Sequence, residues 1–146
     1  MALKTVTESG PINMALFHVT HGLYTLTAKS RDRLNGQCLD ALMQASSAPP
    51  CIVIGVGDRS STHAMICESG RDVNKFVDFD HVLNEHGIPY LPDAVAVYDC
   101  TVIPEMTLDL GTHSLFTASV DHAATADGGQ PLTYNDYRNT LRKERS

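Results

Sequence analysis

The sequence predicts one mostly antiparallel β domain with short helices, and three observations support this fold class. Residues 51–56 form a continuous apolar run rich in Ile and Val, which is typical of a buried strand. Residues 94–108 alternate between apolar and polar side chains, and after Gly111 residues 113–123 return as a hairpin partner. The segments with helical character are short and are separated by Gly and Pro. A chain of 146 residues suits one domain with one core.

At the N-terminus we expect a loose leader over residues 1–12, followed by a short helix over residues 14–20. Asn13 is a suitable cap for this helix, because its side chain accepts a hydrogen bond from a free amide of the first turn. Leu16 and Phe17 are expected to face the core.

The next elements are a strand over residues 23–28, rich in Tyr, Thr and Leu, and a polar turn over residues 29–33. Residues 35–63 are interpreted as two strands that meet at a sharp corner. The first of them mixes apolar and polar side chains, which indicates that one of its faces meets polar groups. Pro49-Pro50 ends this strand, because proline donates no amide hydrogen to a ladder.

The second strand, residues 51–56, opens into a loop over residues 57–63 that is rich in hydroxyls and small side chains. The loop leads into a helix expected over residues 62–68. Free amides at a helix N-terminus attract anions, so this loop is a candidate for holding a phosphate group.

In the C-terminal half we expect a helical turn at residues 72–76 and an ordered loop over residues 77–93. The long strand over residues 94–108 should bend or bulge near Pro104. Residues 138–146 are expected to form a basic tail.

The composition gives no sign of a nucleic-acid or membrane partner. The formal charge of -6 offers no electrostatic attraction to nucleic acid or to an anionic membrane. No apolar run approaches the roughly 20 residues that a membrane-spanning helix needs, and no signal-peptide pattern is present, so we expect a cytoplasmic protein. The cysteines show no Cys-x-x-Cys pair, so we predict no metal site and interpret them as buried apolar fillers. They are Cys38, Cys51, Cys67 and Cys100.

Several short motifs occur in a characteristic order along the chain. They are Asn35-Gly36, Met43-Gln44, Ser46-Ser47, Pro49-Pro50, Thr62-His63, residues 70–76, Pro89-Tyr90-Leu91, residues 109–113 and residues 131–137. In this order they resemble the flavin reductase-like family of FMN-binding split β-barrel proteins, which includes NAD(P)H:flavin oxidoreductases, flavoredoxins and flavin domains fused to rubredoxins. Several motifs in the right order are more specific than any one of them.

The resemblance implies a homodimer of Greek-key split barrels, with residues 1–146 as one domain, FMN in a groove near the subunit interface, and NAD(P)H as co-substrate. A flavin exchanges a hydride with a nicotinamide and passes electrons onward, so the protein needs to supply binding, orientation and tuning of the ring. His113 is the candidate catalytic residue. The implied flavin contacts are Asp40, Ala41, Gln44, Ala45, Ser46, Ser47, Arg59, Ser60, Ser61, Thr62, His63 and Lys75.

Two departures from the family pattern affect this site. Asp40-Ala41 removes a hydroxyl and adds a negative charge near the expected phosphate, at a cost of about 1–3 kcal/mol unless a cation such as Arg59 offsets it. After Gly70 the chain also lacks a strand and a helix that relatives carry, roughly 15–20 residues at average element lengths. We expect the partner subunit to cover the sheet edge that this deletion opens.

The sequence therefore supports alternative interpretations. The first is an FMN-binding flavin reductase, or a flavin module that passes electrons to a protein partner. The second is a degenerate split-barrel dimer that has lost tight flavin binding and serves as a binding or structural subunit. A third keeps the pocket for another flavin or flat cofactor. In each case Ser46 and Ser60 also suit turns, Thr62 suits a helix cap, and His63 and His113 suit structural hydrogen bonds.

Overall fold

The structure is a computed structural model that describes residues 5–67 and 80–141, apart from the side chains of Met65 and Leu141. The strands are β1 (Tyr24–Ser30), β2 (Arg33–Leu39), β3 (Leu42–Ser47), β4 (Pro50–Gly57), β5 (Val82–Leu83), β6 (Pro89–Tyr90), β7 (Ala96–Val102), β8 (Leu108–Asp109) and β9 (His113–Thr125). The helical segments are α1 (Ser9–Leu16), α2 (Ser61–Ile66), α3 (Tyr134–Asp136), a 3-10 turn at Pro104–Met106 and a π-helical turn at Tyr137–Leu141. The prediction of a mostly β fold with short helices is confirmed.

β1 pairs antiparallel with β2 in continuous register, beginning with Tyr24 opposite Leu39. The tight turn between these strands places Arg31 in the left-handed region, at a φ of 54°. The strand expected over residues 23–28 and the turn expected over residues 29–33 are both confirmed.

β2 and β3 are two strands with different partners, and the prediction of a single strand before Pro49 is wrong. The chain leaves β2 at Leu39 and enters β3 at Leu42, where it pairs with β4 instead of β1. The Asp40-Ala41 step makes this change. A change of pairing partner is a tertiary event, so the local pattern of apolar and polar residues does not show it.

The main sheet has the strand order β3-β4-β9-β7, with β8 also paired to β9. β4 runs antiparallel to both of its neighbours, so that Ile54 lies opposite Leu42 on one side and Phe116 on the other. Register shifts leave Ala45 unpaired in β3 and Asp121 unpaired in β9, which are β-bulges. The strands expected over residues 51–56 and 113–123 are confirmed.

The inner face of this sheet carries the core. Ile54, Val56 and Phe116 are buried, and the β1–β2 hairpin and α2 contribute to the cover over them. Half-buried hydrophobic side chains complete the cluster, namely Leu26, Leu42, Ile52, Ile66 and Val102.

We call the opposite side of the sheet the outer face. Paired residues of an antiparallel sheet point to the same side, so Met43 and its partner Val53 lie on this face, as do Leu108 and its partner Leu115. Met43 is 62% exposed and Leu108 is 55% exposed. The outer face is therefore an open surface with an apolar character.

The N-terminal helix begins earlier than the sequence indicated, at Ser9, inside the expected leader. Pro11 fits the first helical turn because the amide that it lacks has no partner there in any helix. The expectation that Leu16 and Phe17 face the core is wrong, since they are 56% and 42% exposed. The guanidinium of Arg138 lies over the Phe17 ring, 4.1 Å from its centroid.

The region from residue 80 to 93, expected as an ordered loop, contains the small β5–β6 hairpin. The carbonyl oxygen of the Asn84 side chain accepts hydrogen bonds from the amides of His86 and Ile88, and Gly87 has a φ of 71°. Further along, the expected strand over residues 94–108 is interrupted: β7 ends at Val102, a 3-10 turn spans Pro104–Met106, and β8 begins at Leu108. The irregularity predicted at Pro104 is confirmed, and the prediction of one continuous strand is wrong.

The helical turn expected at residues 72–76, Lys75 and the junction after Gly70 lie outside the described residues, as do residues 142–146. The assignment of residues 1–146 to one domain stays a prediction. Within the described ranges, no helix has the length and apolarity needed to cross a membrane.

The prediction that the cysteines are buried fillers is wrong. Cys38, Cys67 and Cys100 are exposed, and Cys51 is half-buried. Cys38 illustrates the reason, because its neighbour Leu39 takes the buried side of β2 and alternation turns Cys38 outward.

We predict that Phe116→Ala lowers the free energy of unfolding by about 3–5 kcal/mol, because it opens a cavity in a small core. Urea denaturation at one fixed protein concentration measures this change. Val82→Ala, at an exposed position of β5, serves as the control and should stay within about 0.5 kcal/mol of the parent. A loss below about 1 kcal/mol for Phe116→Ala would contradict the placement of the core.

Candidate flavin site

The outer edge of β3 has no strand partner in the described part of the chain. The bulge leaves Ala45 unpaired there, and Gln44 and Ser47 are exposed. The Gln44 side-chain amide donates to the carbonyl oxygen of Ser46 at 3.3 Å, and the Ser46 hydroxyl accepts from the amide of Ala48 at 3.3 Å. An edge strand with a bulge presents backbone amides and carbonyls to a polar ligand.

Ala41 crosses close to β4 at Gly55. The Gly55 amide donates to the Ala41 carbonyl oxygen at 2.8 Å, and a Cβ on Gly55 would lie 3.1 Å from the Ala41 Cβ. A glycine at position 55 permits this approach without displacement. Asp40, next to the crossing, is half-buried.

The loop after β4 is held by a serine cap. The Ser60 hydroxyl oxygen accepts from the His63 amide at 3.0 Å, and the Ser60 amide donates to the Gly57 carbonyl oxygen at 2.9 Å. Ser61 is half-buried and Arg59 is exposed. Within this loop, Arg59 and Ser61 are therefore the side chains best placed to meet a ligand from solvent.

Thr62 has a different environment from its neighbours in the loop. It is 0% exposed, and its hydroxyl oxygen accepts from the side-chain amide of Asn35 at 2.7 Å. Asn35 is also fully buried, and its side-chain carbonyl oxygen, Oδ1, has no hydrogen-bond partner in the described structure. This geometry favours the structural role for Thr62, which ties α2 to β2.

His113 lies at the same end of the sheet as this loop. It is paired with Gly57, and a Cβ on Gly57 would lie 3.6 Å from Nε2 of the imidazole. Nδ1 is 3.0 Å from the Thr112 hydroxyl, and the Asp58 amide donates to the Thr112 carbonyl oxygen at 3.1 Å. The exposed His113 ring therefore stands beside the start of the loop.

The predicted site residues lie along both edges of β4, because β3 and β9 flank it on opposite sides. Gln44 lies opposite Ile52, and His113 lies opposite Gly57. These two positions are separated by five residues of β4, about 17 Å at the usual strand rise. Ala41 lies between them. Residues 40–47 lie on the β3 side of β4, His113 lies on its β9 side, and residues 59–61 follow its end; we call these three segments together the β4 strip.

A hydrogen-bonded cluster that the sequence did not indicate lies between α2 and the start of β9. His63 Nε2 is 2.8 Å from the Ser114 hydroxyl and 3.5 Å from an Asp58 carboxylate oxygen. The Ser114 hydroxyl is also 3.5 Å from that carboxylate oxygen, and His63 Nδ1 is 4.0 Å from the Cys67 sulfur. These contacts favour the structural alternative for His63, whose ring points into the protein, 5.4 Å from the Phe116 ring centroid.

One signal in the sequence pointed to part of this cluster. His63 and Cys67 are four residues apart in a helical segment, a spacing that brings side chains together. Asp58 and Ser114 join them through the β4–β9 pairing, and no local pattern records that.

A groove of about 220 Å³ lies elsewhere, near the far end of β9. Asp99 and His122 lie side by side at its rim, and Asn84 donates to Asp99 at 2.8 Å. His122 is nine residues from His113 along the strand, about 30 Å at the usual rise. The groove is therefore separate from the β4 strip.

Comparison with known proteins identifies the family. The profile described as "Flavin reductase like domain" matches residues 67–141, just over half of the chain. The chain belongs to the flavin reductase-like family. The resemblance to this family that the motifs indicated is thereby confirmed.

Two curated relatives support this membership. The high molecular weight rubredoxin of Moorella thermoacetica is 34% identical, and the match covers 88% of this chain and 66% of that protein. The ferric-chelate reductase (NAD(P)H) of Archaeoglobus fulgidus is 29% identical, over 84% of this chain and 86% of that protein. A third of the rubredoxin relative thus has no counterpart in this chain.

Solved structures of flavin reductase-like proteins share the fold. The NADH:FAD oxidoreductase of Streptomyces globisporus superimposes with a TM-score of 0.76 at 18% identity, over 91% of this chain and 93% of that chain. The FMN-binding protein of Thermus thermophilus gives 0.74 at 19% identity, over 88% of this chain and 86% of that chain. The predicted split-barrel fold class is confirmed.

The alignments also show that this chain is short for its family. The match with the rubredoxin relative runs over 152 positions but includes only 88% of the 146 residues here. About two dozen positions of the alignment therefore have no residue in this chain. The number is close to the deletion expected from the sequence, whose predicted place after Gly70 lies outside the described residues.

We predict that Thr62→Val destabilises the protein by about 1–3 kcal/mol, because it keeps the shape of the side chain but leaves the buried Asn35 amide without an acceptor. Urea denaturation measures the change, and Thr25→Val on the exposed side of β1 is the control. Equal stability of the Thr62 variant and the control would contradict a structural role for this bond.

Proposed function

We propose that the chain binds FMN along the β4 strip and transfers electrons from NAD(P)H to the flavin, either as an oxidoreductase or as a flavin module of an electron-transfer chain. The family membership and the names of relatives support this, since they include a ferric-chelate reductase (NAD(P)H) and an FMN reductase (NADH) of Agrobacterium fabrum. The observation that carries the proposal is the open, bulged edge of β3, together with the loop that follows β4 and with His113 on the other side of β4.

The hydrogen-bonding groups of the β4 strip match those of a flavin. The edge of β3 supplies backbone amides and carbonyls, which match the polar edge of an isoalloxazine ring. Gly55 and Gly57 carry no side chain, which lets Ala41 and His113 approach β4 closely. At the other end, the hydroxyl of Ser61 and the guanidinium of Arg59 match a phosphate.

Each group has a role in binding or orientation. Residues 44–47 would hold the ring edge through backbone and hydroxyl groups, and Arg59 and Ser61 would hold the phosphate. Ser60 keeps the loop in shape through its cap on α2. His113 lies at the phosphate end of the strip, so its proposed contact is with an approaching nicotinamide and not with the ring edge at residues 44–47, and Lys75 remains a proposed phosphate contact.

The bound flavin would supply the redox chemistry by accepting a hydride from a nicotinamide. The protein needs no nucleophile or general base of its own for this role. Its residues bind the two reactants, orient them and exclude water from the space between them.

We predict that the protein retains FMN and that Arg59→Gln raises its dissociation constant about fivefold, the equivalent of about 1 kcal/mol for an exposed charge-assisted contact. Arg31→Gln, on the β1–β2 turn, removes the same charge away from the strip and should leave affinity unchanged. Asp40→Asn should tighten binding, because it removes a carboxylate near the phosphate path. Quenching of flavin fluorescence measures all three.

The visible spectrum of the purified protein tests the proposal as a whole. Flavin bands that persist after removal of excess FMN, and that bleach when NADH is added, are the expected result. The shortened chain and Asp40 favour one alternative, a degenerate dimer without tight flavin binding. A colourless protein whose melting temperature does not rise with saturating FMN would establish that alternative and reject ours.

We also infer that the protein is a homodimer joined through the outer face. Large apolar side chains remain exposed there, with Met43 and Leu108 each more than half exposed. A second copy seated on the outer face would cover this apolar surface and would close off the nearby strip.

We predict that Leu108→Glu converts the dimer to a monomer without unfolding it, because the side chain is exposed in the single chain and would be buried between copies. Light scattering at micromolar concentration measures the mass. Leu83→Glu on the exposed β5 strand is the matched control and should stay dimeric. A parent protein that is already monomeric would contradict the inference.

We expect a cytoplasmic location and a protein partner that accepts electrons. The relatives include proteins named as the reductase component of a 4-nitrophenol monooxygenase and of an FADH(2)-dependent resorcinol hydroxylase.

A further inference from the structure

The cysteine Cys67 differs from the other three cysteines in its surroundings. It is exposed at the end of α2, and its sulfur lies 4.0 Å from Nδ1 of His63. The Cys67 amide donates to the His63 carbonyl oxygen at 3.0 Å, so the helical geometry places the two side chains on one side of the segment. No imidazole contact is seen for the other cysteines among the described residues.

His63 is supported on its far side by a carboxylate and a hydroxyl. Nε2 lies 2.8 Å from the Ser114 hydroxyl and 3.5 Å from the Asp58 carboxylate, and the Ser114 hydroxyl can donate to that carboxylate. A consistent assignment has Nε2–H donating to Ser114 oxygen and the Ser114 hydroxyl donating to Asp58. Nδ1 is then the free acceptor that faces the thiol.

This arrangement is a thiol, an imidazole and a carboxylate in series. Nδ1 can accept the Cys67 proton as the sulfur attacks, and the Asp58 carboxylate faces the far side of the same ring. His63 is mostly buried, with 18% of its side chain exposed, which keeps this pair partly shielded from water. Cys67 itself is open to solvent, so a small reagent can reach the sulfur.

We propose that Cys67 is a reactive thiol that exchanges with low-molecular-weight disulfides to form a mixed disulfide on the protein. The Cys67 thiolate attacks one sulfur of the small disulfide, a new S–S bond forms as the original S–S bond breaks, and the departing thiolate takes the proton held by His63. The protein sulfur is oxidised and one half of the reagent is reduced, so no other oxidant is needed. This activity does not depend on flavin binding.

The other exposed cysteines provide internal comparisons. Cys38 is exposed on β2 with no imidazole contact in the described structure. Cys100 as a whole residue is also exposed. Its thiol is partly buried, and this burial, followed by the charges of Asp121 and Asp99, raises the pKa of the thiol to about 11. Cys100 therefore stays protonated at neutral pH and is expected to react slowly.

The test is reaction of the full chain with glutathione disulfide at neutral pH, with each cysteine followed by peptide mass spectrometry. Cys67 should form the mixed disulfide about tenfold faster than Cys38, as expected for a thiol with a positioned base. His63→Gln should reduce the Cys67 rate to that of Cys38, and Asp58→Asn should reduce it by a smaller factor. The Cys38 rate should not change in either variant, and the half-buried Cys51 should stay slow if each variant is folded.

The wild-type comparison decides the matter even if a variant fails to fold. A Cys67 rate equal to or below the Cys38 rate would overturn the proposal. A fast Cys67 whose rate is the same in folded His63→Gln would also overturn it, because the reactivity would then come from exposure alone.

Discussion

The antiparallel pairing of β4 with β9 is the interaction on which the rest of this structure depends. Seven consecutive residue pairs, from Cys51 with Ser119 to Gly57 with His113, join the most apolar strand to the longest one. This pairing aligns Ile54 with Phe116 on the inner face and so creates the core. A shift of one residue would turn those side chains outward, so the core holds the register in place.

The same register sets the chemistry at the end of the sheet. It puts His113 beside Gly57 and brings Ser114 within reach of His63 and Asp58. His113, in the β4 strip, and Ser114, which contacts His63 and Asp58, are therefore neighbours on β9 whose side chains point to opposite faces of the sheet. His113 is turned toward the outer face, and Ser114 is buried on the inner one.

The core that this pairing builds is small, and that has a structural consequence. The sheet packs one face inward and leaves Met43 and Leu108 exposed on the other. Sheets with two apolar faces need a cover on each. The homodimer proposed here supplies the second cover, and the same contact would shelter a ligand lying along β4.

The sequence by itself determined the fold class, the two central strands, the bend at Pro104 and the family. These features depend on local composition, alternation, proline geometry and motif order, all of which can be seen in the printed chain. The family resemblance, which is also visible in the printed chain, supplied the candidate segments of the β4 strip.

Only the tertiary structure decided the separation of β2 from β3, the burial of Thr62 against Asn35, and the exposure of Leu16, Phe17 and three cysteines. The physical reason is common to all of them. The pairing partner of a strand and the burial of a side chain depend on segments that are distant in the chain, such as Ser114 beside Asp58. A periodic pattern of apolar residues indicates that one side of a segment is covered, but it does not indicate which segment covers it.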